Sequence, residues 1–149
     1  MAFHDPLLVA LTYPDATPDR ALRNGVALAK RLAGSLTLLT VQIDIPEVGN
    51  WFSNRLFHFD QVAAETEARS AALAKAKAMC ARIAAEEAGA GIEIESTVAR
   101  LFDEADVIAR LARTRDLTLI AVGAEVLAAR GLAEKLVFAS GRPVLIYPE

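Results

Sequence analysis

One cysteine and two histidines are all the soft metal-binding side chains in 149 residues. A lone Cys forbids an internal disulfide, and with two His it cannot complete the four ligands of a structural zinc site, so no metal centre is expected. Cys80 falls in line with Leu73, Ala76 and Ile83 at helical spacing, which assigns it to the apolar face of a helix rather than to redox chemistry. A dense Lys/Arg block is also missing. With a formal net charge of -3, the long-range field gives no attraction for nucleic acid or anionic lipid. No apolar run reaches the ~18 residues of a membrane span, and MAFHDPLLVA lacks the basic stretch that opens a signal peptide, so a cytoplasmic chain is expected. There is no internal repeat, no low-complexity segment and no visible boundary. Residues 1–149 therefore read as one domain, a size that buries roughly 70% of its unfolded surface without a staple.

What the chain does have is apolar material, 54% of its residues, parcelled into several runs. Leu7 to Thr12, Thr37 to Val41 and Leu117 to Val122 are continuous apolar runs suited to parallel strands buried on both faces. Ile92 to Thr97 alternates apolar with charged residues and belongs at a sheet edge, as does Pro143 to Tyr147 with its leading proline. Helices fill the gaps. Thr17 is expected to cap the first, with Pro18 at its first position, a stripe of Leu22, Val26, Ala29 and Ala33, and Gly34 at its end. The second runs from about Gln61 to Ala88, carries Glu65 and Arg69 at i,i+4 spacing, and is closed by Gly89 and Gly91. In the third, Asp103 caps, Asp106 takes the acid position of a capping box and Phe102 staples onto Val107, while Ile108 and Leu111 also face inward. The fourth is expected from Gly131 to Ala139, stopped by Gly141 and Pro143.

Strands alternating with helices imply an α/β architecture, an open doubly wound five-stranded parallel sheet with helices on both faces. The two edge-type strands favour the order 3-2-1-4-5. Its switch point, between the first and fourth strands, opens a crevice at the strand C-termini where a small ligand would sit. One segment departs from this rhythm: Ile45 to Asp60 is a long connection holding Trp51, Phe52, Phe57 and Phe59, four of the nine aromatic residues. It reads as a partner or lid surface, or as a flap folded onto its own domain. His58 beside Asp60 is a packed or solvated histidine rather than a catalytic pair.

The stretches Arg20 to Val41 and Asp116 to Pro148 resemble the universal stress protein family, most closely over GLAEKLVFASGRPVLIYP. The resemblance spans nearly the whole chain and implies an adenine-nucleotide α-hydrolase-like fold. Members that bind ATP share Gly, two residues, Gly, nine residues, Gly and Ser or Thr, with an Asp ending the first strand. Here Gly123 matches the first glycine, Val126 replaces the second, four residues precede Gly131 instead of nine, and Leu132 stands for the hydroxyl residue. Thr12, or Tyr13, occupies the aspartate position, and Val41, beside the adenine in the family, is retained. A side chain at 126 bars close backbone approach to a phosphate, the shorter loop offers fewer N–H groups, and Glu125 opposes a triphosphate, with Arg130 as the one cation in favour.

The crevice, formed by Thr12, Val41, Val122, Gly123, Arg130, Gly131 and Leu132, is accordingly read as degenerate, with no resident cofactor. The family resemblance further implies dimerisation through the fifth strand at Val144, Leu145 and Ile146, or a tandem partner domain. The expected function is a non-enzymatic, dimeric regulatory domain acting through contacts with other proteins. The alternative is a sensor that holds ATP or AMP with a variant loop. A nucleotide-hydrolysing enzyme is disfavoured because no nucleophile-base pair and no carboxylate cluster are in view.

Overall fold

The computed structural model describes residues 3–13, 15–44, 59–87, 91–100, 102–124 and 127–149. Among these, five strands and four helices alternate: β1 (Pro6–Ala10), α1 (Asp19–Leu32), β2 (Leu36–Asp44), α2 (Phe59–Glu86), β3 (Ile92–Arg100), α3 (Glu104–Ala112), β4 (Leu117–Val122), α4 (Leu127–Ala139) and β5 (Val144–Pro148). All pairings are parallel and the sheet order is β3-β2-β1-β4-β5, as the run patterns imply. The proposed aromatic surface of Ile45 to His58, the His58–Asp60 pair, Gly89, the side chain of Glu65, Glu125 and Val126 lie outside the described residues. Phe59 and Asp60 are the first residues of α2.

Period-two alternation divides the central strands between two cores. Leu7, Val9, Leu39, Val41 and Ile120 point to the face covered by α3 and α4, where they meet Ile108, Leu132 and Leu136. Leu8, Ala10, Leu38, Leu119 and Ala121 point to α1 and α2, against Leu22, Val26, Cys80 and Ile83. Each fully buried leucine or isoleucine contributes roughly 1.5–3 kcal/mol, which makes these two layers the main stabilising term. Cys80 is wholly buried and its thiol is pushed up to about 11 by that burial, an inert core residue as its spacing implies. No described helix is long and apolar enough to cross a membrane.

Three local expectations are corrected. Thr17 does not cap α1: its hydroxyl accepts the Leu11 N–H at 2.9 Å and its own N–H donates to the Leu11 carbonyl at 3.0 Å, leaving Pro18 at the cap position. Asp103 sits at the α3 cap position without a side-chain cap bond, and Phe102 is 91% exposed, so it forms no staple. α4 opens at Leu127, not at Gly131, because Leu127-Ala128-Ala129-Arg130 are strong helix formers and an exposed glycine in mid-helix costs only about 1 kcal/mol.

The N-terminal edge of the sheet is tied by charge. Arg115, in the turn before β4, donates Nη1 to Asp5 Oδ1 at 2.7 Å and to Thr37 Oγ1 at 3.1 Å, and Nη2 to Glu95 Oε2 at 2.9 Å. Next to it, the Asp116 carboxylate accepts the backbone N–H groups of His4 and Asp5 at 2.6 and 3.0 Å. Burial acts to raise the Asp116 pKa, but these two bonds together with its own backbone N–H and the His4 charge outweigh it and leave the group below the usual carboxylate range.

Candidate functional site

The strand order brings the C-terminal ends of β1, β2 and β4 to one rim, with the switch point between β1 and β4. At that rim Thr12, 2% exposed, donates its hydroxyl to the carbonyl of the wholly buried Val41 at 2.6 Å. A family aspartate at this position would present a free carboxylate to a ligand. A threonine instead spends its donor on the neighbouring strand and fills one of the two acceptor positions of the Val41 carbonyl. The paired Thr17–Leu11 bonds then fold the β1–α1 connection tightly. Half-buried Tyr13 follows, with the Arg69 guanidinium of α2 lying 5.9 Å from its ring centroid, a cation–π contact across the rim.

On the β4 side, Val122 and Gly123 are half-buried and only residues 123–126 separate β4 from α4. Arg130, Gly131 and Leu132 belong to α4 rather than to a loop. Arg130 pairs with Glu134 at 3.3 Å on an exposed helix face. Leu132, 6% exposed, packs into the core beneath α4. Gly131 is exposed, and a Cβ built on it meets nothing within 4 Å, so no close approach of any group requires a glycine there. Gly131→Ala is therefore expected to raise stability by about 0.5–1 kcal/mol, read as a higher urea midpoint; a lower midpoint would show that the glycine serves a contact. Thr12, Val41, Val122 and Gly123 do gather around the switch point, whereas Arg130, Gly131 and Leu132 are carried up the helix.

A match to the model of the universal stress protein family covers residues 4–141. The chain belongs to the universal stress protein family. No curated protein matches the sequence. Among solved structures, it is similar to the universal stress protein UspA from Lactobacillus plantarum, at 18% identity with a TM-score of 0.64 and 98% of each chain covered. A universal stress protein family member from Burkholderia pseudomallei is similar at 16% identity and a TM-score of 0.56, with 96% of each chain covered. A universal stress protein in complex with cAMP is similar at 20% identity and a TM-score of 0.53, covering 99% of this chain and 98% of the other. These likenesses establish that this universal stress protein has the family's fold.

Glu104, at the first position of α3, was not singled out by sequence reasoning. Its pKa is raised to about 7 by burial, and its enclosed Oε1 has no hydrogen-bond partner among the described residues. The sequence pattern gave no signal, because an acid in a first helical turn ordinarily faces water. Among the described residues, no group of three or more His, Cys, Asp or Glu is arranged to hold a metal ion.

Proposed function

We propose that this chain is a cytoplasmic universal stress-type regulatory domain that works as a dimer and through protein contacts, without clasping ATP and without chemistry of its own. The observation that carries the reading is the Thr12 hydroxyl donating to the Val41 carbonyl at 2.6 Å, which commits the buried donor at the rim to the neighbouring strand instead of to a ligand. The short β4–α4 connection supports it, since four residues leave little backbone to wrap a triphosphate. Assembly through β5 is supported by its place at the sheet edge and by Ile146, 51% exposed on the face that α4 covers. On that same face α4 exposes Val137 and Phe138.

The test is sedimentation of the wild type beside Ile146→Asp, together with thermal unfolding in ATP and magnesium. The wild type is expected to sediment as a dimer and the variant as a monomer. ATP at about 1 mM is expected to move the melting temperature by less than about 1 °C. A monomeric wild type at roughly 50 µM would remove the assembly reading. The similar structure in complex with cAMP motivates a second reading, a nucleotide sensor, which a rise of several degrees with ATP, AMP or cAMP would favour.

A further inference from the structure

On the edge of the sheet remote from β5, a groove of about 530 Å³ runs between the end of β3 and α3. Arg100, Arg110 and Arg113 line it, with Asp103 and Asp106 on the same wall. Arg110 and Arg113 are three residues apart on one helix face, and Arg100 reaches the groove from another element. Asp106 is bonded to Lys135 at 2.9 Å, and that bond, with the charges of Lys135, Arg110 and Arg113, lowers its pKa. Arg113 is fixed in place, with Nε donating to the Ala139 carbonyl at 3.0 Å while its own carbonyl accepts Arg142 Nε at 3.1 Å. Its two terminal nitrogens have no partner among the described residues, and neither guanidinium of Arg100 or Arg110 meets a carboxylate at ion-pair distance.

Three guanidiniums thus face two carboxylates, those of Asp103 and Asp106, and with Lys135 on Asp106 the local charge is positive by two, in a chain whose formal net charge is -3. Cations in the last turn of α3 complement its dipole and need no ligand on that account. That does not explain Arg100, which comes from the end of β3 and adds to the same positive field. The local surplus of two positive charges matches a dianion, and planar guanidinium forks suit tetrahedral phosphoryl oxygens better than a point charge does. The volume lies in the range of small-molecule sites, and five charged residues among the nine that line it favour a charged occupant.

We propose that this groove is a second anion site, separate from the crevice at the switch point, which takes a small phosphoryl-bearing molecule. It lets the domain respond to a phosphorylated metabolite while the crevice stays closed to ATP.

The test titrates the full chain with inorganic phosphate and with pyrophosphate and follows ¹H–¹⁵N spectra, including the arginine Nε–H signals. Pyrophosphate is expected to bind saturably and to shift the signals of Arg100, Arg110 and Arg113 while leaving Thr12 and Gly123 in place. The double variant Arg100→Gln/Arg110→Gln is expected to weaken binding about tenfold or more with an unchanged melting temperature. Arg110→Lys keeps the charge and loses the fork, and is expected to weaken it several-fold. Shifts at the crevice instead of the groove, no saturation by roughly 20 mM of either probe, or equal effects from chloride at matched ionic strength would each overturn the proposal.

Discussion

Glu104→Gln is expected to stabilise the protein at pH 8 by about 1–3 kcal/mol and to change it little at pH 5. The residue is half-buried, its Oε1 is enclosed and unpartnered among the described residues, and its pKa stands at about 7 against an ordinary 4.5. A group whose folded pKa lies above its unfolded one holds more protons folded than unfolded between those values. Stability therefore declines as pH rises from about 4.5 to 7 and stays lower above it. The full interval corresponds to roughly 3 kcal/mol, from which the favourable field of the α3 N-terminus subtracts up to about 1 kcal/mol. Urea unfolding of both proteins at pH 5 and pH 8 measures the difference. Parallel stability curves across that range would mean that the carboxyl finds a partner or water in solution.

Gly25→Ala is expected to lower stability by about 1–3 kcal/mol, although alanine is intrinsically favoured over glycine in a helix by about 1 kcal/mol. Gly25 lies in the middle of α1, buried, where a Cβ would collide with the Tyr147 hydroxyl and approach Leu8 Cδ1 at 2.8 Å. That hydroxyl is fixed, because it donates to the Ala21 carbonyl at 3.0 Å, and burial holds its proton on by raising the pKa. The Tyr147→Phe background supplies the control. Removing the oxygen costs a hydrogen bond of about 1 kcal/mol but makes room, so Gly25→Ala should cost less there than in the wild type. Equal costs in both backgrounds, or a raised urea midpoint in the single variant, would contradict the close-packing argument. The opposite sign expected at Gly131 comes from the same substitution in open space.

Strand order was legible because each strand carries its burial in its composition: β1, β2 and β4 as solid apolar runs, β3 by alternation, β5 by its proline. The limits of β4 coincide with its apolar run, and Leu22, Val26 and Ala29 of the expected α1 stripe are buried as their spacing implies, whereas Ala33 is half-buried and extended beyond the helix end at Leu32. Contacts between distant segments were not legible. Thr17 has the residue type of a helix cap, yet its better partner is the Leu11 backbone, which only the folded turn presents. Glycine at 131 has the character of a boundary residue, yet the helix propensity of the four residues before it carries α4 across it. At the crevice, the proximity of Thr12 and Val41 follows from adjacent strands; the bond between them does not, since a hydroxyl's direction is set by packing. The Arg100–Arg110–Arg113 groove joins two elements, and nothing in the spacing of its residues connects the first to the other two.

Arg115 touches one residue ahead of β1, one in β2 and one in β3, while its own chain leads into β4. Parallel neighbours have no hairpin to fix their alignment, and a slip of one residue would turn Glu95 to the opposite surface and put Ile94 or Ser96 in its stead. The guanidinium thus acts as a key that fits a single stagger of four strands, so the molecule proofreads its own weave at one end.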